Sequence, residues 1–249
     1  LCWEAMTRHG RQVTRFVATS RWYAERMAKR MDLSPDKIAV IYPGIEVAPE
    51  TPSLQAGDPP VVGYLSRLHP AQGFEDVVDA FVALKREPGL ASLRLRATGG
   101  ATPSDLSFMD KMEARLGDAG FLEDASIDWN FQAAPDAAFF RGLTVMTAPA
   151  RGGEAFGMHM IEALSRGIPV VQPRAGAYPE VLEASGGGVL YDPDSPHGLA
   201  AALRELLSNP GLAQRLGEQG YRHARDHFTV ERMAREMSAL YEGACAARP

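Results

Sequence analysis

The sequence predicts an α/β protein: a Rossmann-like parallel sheet with helices on both faces, joined to a smaller opening unit. Three observations lead there. Between about Val61 and Ala202, short apolar runs alternate with turns and amphipathic stretches, the pattern of successive βαβ units. Most of those runs are apolar at consecutive positions, as strands covered by helices on both faces demand. The first fifty residues hold a smaller strand, helix and strand that cannot bury a core of their own.

In chain order, Arg15–Thr19 reads as a strand, Ser20 as the N-cap of a helix, and Lys37–Tyr42 as a second strand stopped by Pro43-Gly44. Residues 1–44 are therefore expected to be a separate small unit. From 45 to 60 the composition turns to Pro, Glu, Ser, Gly and Asp without periodicity and reads as a linker. The main domain is expected over 61–228. Its strands are expected at Val61–Leu65, Leu93–Ala97, Ala125–Phe131, Leu143–Ala148, Ile168–Gln172 and Gly188–Tyr191. Helices are expected at Phe74–Arg86, Leu106–Ala119, Gly157–Arg166 and His197–Ser208. Pro210 and Thr229 punctuate two further helices, and the last, over 229–249, carries Met233, Met237 and Leu240 at helical spacing.

Composition removes several function classes. A net charge of -5 over 249 residues gives no basic surplus for nucleic acid. The two cysteines, Cys2 and Cys245, lie near opposite ends without metal-ligand spacing, so neither a zinc site nor a disulfide framework is expected. A reducing, cytoplasmic compartment fits that usage. No window approaches the roughly 18–20 apolar residues of a membrane-spanning helix. The chain opens at Leu1 without an initiator Met and is expected to be a processed or excised piece of something longer.

The chemistry concentrates after the strand ending near Ala148. There Gly152-Gly153-Glu154-Ala155-Phe156-Gly157-Met158 leaves a parallel strand and opens a helix, so free backbone N–H groups and a helix dipole are offered to phosphate or sugar oxygens. Glu154 and Glu162, with seven residues between them, supply carboxylates suited to sugar hydroxyls. A second segment, Gly63-Tyr64-Leu65-Ser66-Arg67 through Gln72-Gly73, ends the first core strand, and Thr98-Gly99-Gly100 ends the next. No G-x-G-x-x-G follows a strand, which disfavours nicotinamide and flavin oxidoreductases.

The run EAFGMHMIEALSRGIPVV, from Glu154 to Val171, resembles the fingerprint of retaining glycosyltransferases of the GT-B architecture, group 1 or family four. RFVATS, IYPGIEV, VVGYLSRLHPAQGFEDVVDAF and GAYPEVLEASGGGVLYDPDS extend the resemblance over nearly the whole chain, the stretch 102–124 being generic. It implies that this is the C-terminal donor-binding half, that the donor is a nucleotide-diphosphate sugar, and that neither cofactor nor metal is required. It implies catalytic roles for Glu154 and Arg67. Donor contacts are implied for Glu162, Gln72, the N–H groups of Phe156, Gly157 and Met158, and the turns at Gly63 and Gly99; Glu180 would bond a loop near the site. Residues 1–44 would be a remnant of the second, N-terminal acceptor domain, which would otherwise be largely absent, leaving donor binding without turnover, and a full-length protein would have room for peripheral membrane association. Gln72 departs from the pattern, standing where the family has Lys, and a neutral bond there costs on the order of 1–2 kcal/mol. A non-catalytic module for nucleotides or partners is therefore the alternative reading. A pyridoxal-dependent phosphorylase is disfavoured, since no lysine follows Lys111.

Overall fold

The computed structural model describes residues 2–10, 12–47, 57–129 and 137–246. Its main domain is built on six parallel strands: β3 (Val61–Leu65), β4 (Arg94–Thr98), β5 (Ala125–Asp128), β6 (Val145–Thr147), β7 (Val170–Pro173) and β8 (Gly188–Tyr191). Their order across the sheet is β5-β4-β3-β6-β7-β8. β3 and β6 thus lie side by side at the centre, although the chain travels outward through β4 and β5 before returning.

The connecting helices explain that order. α3 (Phe74–Lys85), α4 (Leu106–Asp118) and α8 (Gly198–Leu207) pack on one face, around Phe74, Phe81, Met109, Met112 and Leu203. α5 (Ala137–Phe140), α6 (Met158–Leu164) and α7 (Tyr178–Ser185) pack on the other, around Phe139, Met160, Ile161 and Tyr178. Each large apolar side chain buried there contributes about 1.5–3 kcal/mol. Central β3, β6 and β7 are buried at every position, as two-sided helical cover requires. Outer β5 alternates between half-buried and exposed.

The opening residues form α1 (Cys2–Gly10), β1 (Phe16–Ala18), α2 (Arg21–Met31) and β2 (Ile38–Val40), with β1 and β2 paired in parallel. Ser20 caps α2 as expected, its Oγ accepting from Tyr23 N at 3.0 Å. This unit is held to the main domain by Glu180 on α7. One carboxylate oxygen accepts from Arg21 N at 2.9 Å and the other from Trp22 N at 3.1 Å, where the α2 dipole favours negative charge. Tyr42 also donates its hydroxyl to Glu180, at 2.6 Å; burial, then that bond, pushes the Tyr42 phenol up to about 12.

α9 (Pro210–His227) and α10 (Val230–Ala246) close the chain. Arg232 of α10 donates to the carbonyls of Tyr42 and Pro43. Ile45 was expected to begin a linker, yet it is buried, bridges to Thr229 and donates from its N–H to Phe228 O at 2.9 Å. Of that expected linker, residues 48–56 lie outside the described residues, as do Asn130 and Phe131 of the expected third strand. No described helix is long and apolar enough to cross a membrane.

Several boundaries move inward for identifiable reasons. Leu93 N bonds Leu90 O and closes a turn, so β4 starts at Arg94, whose N–H reaches Pro60 O. Leu143 likewise closes a turn on Phe140 O. Replacing Glu180 by Ala leaves two N–H groups and a part-buried phenol without their acceptor, and is expected to cost about 1–3 kcal/mol in denaturant unfolding. Hydrogen exchange should quicken at Arg21 and Trp22 while the β3 and β6 amides keep their protection.

Candidate functional site

β3 hands its chain to α3 on one face and β6 hands its chain to α6 on the other, so the segments leaving these neighbouring strands diverge. The divergence opens a cleft of about 580 Å³ at the C-terminal edge of the sheet, where open α/β sheets bind ligands. Its walls bring together Arg67, Gly99, Glu154, Phe156, Gly157, Met158 and Glu162. Thr19 and Pro43 of the opening unit add to the rim.

The β3 side is shaped by Tyr64, a fully buried residue whose hydroxyl reaches Arg67 O at 2.9 Å and Gln72 O at 3.2 Å. Ser66 N and Leu68 N bond Thr98 O and Gly100 O, drawing the two turns together. A Cβ at Gly99 would lie 1.8 Å from Ser66 O, so that close approach admits glycine alone. Arg67 is fixed by Asp105, donating to its Oδ2 from Nη2 at 2.8 Å and Nε at 3.2 Å, and from Nη2 to Thr102 Oγ1 at 3.1 Å. Asp105 is 3% exposed. The Thr102 N–H, then Arg67, hold its carboxyl well below the usual range. Gln72 accepts at Oε1 from Ser66 Oγ at 3.2 Å, a bond that leaves its amide N–H groups unused.

On the β6 side, Gly157 caps α6 at φ 93°, and a Cβ there would meet Met160 Cε at 2.9 Å and Tyr178 Cε1 at 3.0 Å. Phe156 buries its ring against Tyr42 and Phe228, with centroids 5.9 and 5.6 Å away, so it offers backbone to the cleft. Among the described residues, no hydrogen bond takes up the N–H groups of Phe156, Gly157 or Met158. The loop is tied down by Ser20 Oγ and Thr19 Oγ1, which donate to Ala155 O at 2.6 and 3.2 Å, and by Ala177 N on Glu154 O at 3.0 Å. Burial raises the Glu154 carboxyl above its ordinary range. It raises that of Glu162 too, with Arg166 acting in the opposite sense. No hydrogen bond engages the Glu162 carboxylate among the described residues.

Residues 50–223 match the family of glycosyl transferases group 1. The chain belongs to that family. A D-inositol 3-phosphate glycosyltransferase of Corynebacterium glutamicum (strain R) is 31% identical over 236 residues, 86% of this chain and 54% of that protein. The lipopolysaccharide core biosynthesis mannosyltransferase LpcC of Rhizobium leguminosarum bv. viciae is 30% identical over 182 residues, 73% of this chain and 50% of that protein. The chain spans about half the length of the curated relatives it matches. Among solved structures, Anabaena Alr3699/HepE in complex with UDP and glucose superposes with a TM-score of 0.83 at 18% identity, over 96% of this chain and 66% of that one. The C-terminal domain of a group 1 glycosyl transferase (LpcC) from Francisella tularensis does so at 0.61 and 23%, over 76% and 96%. The sheet domain is thus the C-terminal domain of the GT-B glycosyltransferase fold.

Within this group 1 domain, two expected residues sit apart from the cleft walls. Gly63 lies inside β3, where a Cβ would strike Leu143 Cδ1 at 2.5 Å; its glycine serves packing and it does not line the cleft. Gln72 reaches the cleft only through its bond to Ser66. Trp129 packs against the core on the α3 side, and Phe131 lies outside the described residues. Glu180 does bond near the site, through α2 rather than the loop itself. Sequence reading missed Asp105, which the run Thr102-Pro103-Ser104-Asp105 announces as a capping box. It also missed His159, 7% exposed behind Glu154, whose imidazole burial pushes down to about 4.

That depressed value makes a stability prediction with a definite sign. Below its unfolded value near 6.5 the histidine takes up a proton more readily in the unfolded chain, so stability falls as pH drops from about 6.5 toward 4. The raised Glu154 and Glu162 carboxyls act in the opposite direction, so the comparison is made against His159→Asn. Between pH 7 and 5, urea unfolding should show the parent losing about 1–2 kcal/mol more than that variant.

Proposed function

We propose that the cleft binds a nucleotide-diphosphate sugar and is the donor site of a retaining glycosyltransferase. One observation carries this reading: a half-buried carboxylate, Glu162, a second, Glu154, the Arg67 guanidinium and three unengaged backbone N–H groups all line one cleft. Glu162 takes the ribose hydroxyl pair and Glu154 lies against the sugar. Arg67 and the N–H groups at Gly157 receive the charge that grows on the departing diphosphate. The bond from anomeric carbon to diphosphate oxygen breaks, and the acceptor oxygen bonds on the same face. Uridine diphosphate is the first nucleotide to test, because the Anabaena neighbour is a complex with UDP and glucose. We assign the protein to the cytoplasm and to carbohydrate metabolism.

The acceptor belongs, in this reading, to a further N-terminal domain of the full protein, of which residues 1–44 are the last part. Juxtaposing two substrates supplies much of the rate of any bimolecular transfer, so this chain alone binds donor with negligible turnover. A second reading, a nucleotide-binding module without chemistry, draws on Gln72 and Asp105. Arg67 shares its charge with a buried carboxylate and Gln72 adds none, so the phosphate end carries little net positive charge.

Calorimetric titration with UDP, GDP, ADP and their sugars tests the site. Glu162→Ala should weaken binding about ten- to a hundredfold, and Gln72→Lys should tighten it about tenfold. No response to either substitution removes the assignment. Sugar transfer by the full-length protein would exclude the module.

A further inference from the structure

The floor of the cleft holds a pair of residues that the donor scheme leaves unused. His159 stands on the first turn of α6, with Nε2 at 3.0 Å from Gln172 Nε2 and Nδ1 at 3.7 Å from Glu154 Oε2. Gln172 comes from the end of β7 and is fully buried, its Oε1 without a hydrogen-bond partner among the described residues.

The amide decides the tautomer. An amide nitrogen has hydrogens to give and accepts none, so at 3.0 Å it donates to Nε2 of the imidazole. A neutral ring then carries its proton on Nδ1, the nitrogen that faces Glu154. With the amide reversed, Nε2–H would donate and a bare Nδ1 lone pair would confront the carboxylate, which is repulsive. The two phenols that sense Glu154 have their hydrogens committed elsewhere: Tyr64 to the carbonyls of Arg67 and Gln72, and Tyr178 to Ala148 O at 3.1 Å. The Tyr178 ring packs edge-on to the imidazole with centroids 6.0 Å apart, which limits how the ring can turn.

We infer that His159, oriented by Gln172, is a positioning residue: its Nδ1–H steadies the Glu154 carboxylate on the sugar side of the cleft, so that the pair selects nucleotide sugar over bare nucleotide. The inference rests on the donor reading above. Burial keeps the imidazole neutral at ordinary pH, so what Nδ1 offers across 3.7 Å is an N–H donor facing a carboxylate rather than a partner in an ion pair. A shift of a few tenths of an ångström closes 3.7 Å to bonding distance.

Two measurements test it. In the ¹⁵N spectrum of the chain, His159 should show the Nδ1–H tautomer from pH 5 to 8. The ¹³C-detected titration of Glu154 should move upward in His159→Leu and return in His159→Asn, whose amide places a donor where Nδ1 was. Calorimetry with UDP-glucose against UDP, and GDP-mannose against GDP, should show the sugar preference falling about tenfold in His159→Leu and recovering to within about threefold in His159→Asn. If His159→Leu does not fold, Gln172→Leu carries the same test, through loss of the Nδ1–H tautomer and of the sugar preference.

An Nε2–H tautomer, or a Glu154 titration indifferent to His159→Leu, overturns the pairing. Binding with an unaltered sugar preference overturns the pairing and leaves the donor site standing. A chain that binds none of the four ligands overturns the donor site and the sugar role together.

Discussion

The crossovers reverse direction between two neighbouring strands, and the cleft exists because of that reversal. From β3 the chain moves outward over one face through α3, β4 and α4; from β6 it moves the opposite way over the other through α6 and β7. No helix can lie over the edge where β3 and β6 meet, so backbone amides and side chains at their C-terminal ends face solvent together. Residues 65–67 and 154–162, far apart in sequence, line the same space for this reason.

An opening of this kind is useful only if its walls hold their shape. The β6 loop is held from outside by Ser20 and Thr19, from below by Ala177, and at its end by the Gly157 cap. Two of those ties come from the opening unit, which is itself anchored through Glu180 and Tyr42. The small unit therefore acts as a brace for the loop that carries Glu154. Electrostatics follow the same logic. Asp105 fixes Arg67 in place at the cost of some of its charge, while burial raises the carboxyls of Glu154 and Glu162.

The sequence disclosed the fold through its periodicity and the cleft through its motif, but in different degrees. β3 and β8 were legible to the residue because each is a continuous apolar run ended by a turn signal. The sequence places β4 one residue early and makes β6 too long because Leu93 and Leu143 are apolar and buried yet sit in turns; burial alone does not distinguish the two states. α1 went unread because its support is tertiary, Trp3 resting on Tyr23 with the Arg30 guanidinium over its ring. At the cleft, Glu154 and Glu162 stand out through the motif that surrounds them rather than through their spacing alone, and both line the cleft, whereas Gly63 packs against Leu143. Asp105 carries a local signal, the capping box that opens at Thr102, but its hold on Arg67 is tertiary, and nothing in the spacing around His159 announces Gln172 on β7.

A second groove of about 550 Å³ lies between α3 and α8, and two of its arginines, Arg151 and Arg115, are already paired with Asp76 and Asp79. Amide chemical shifts of the labelled chain during titration with UDP would separate the two locations. A donor site in the cleft requires saturable changes at Gly99, Phe156, Gly157 and Met158 together with the Arg67 side chain. Changes confined to the groove around Arg151 and His197, with the β6 loop silent, would contradict it.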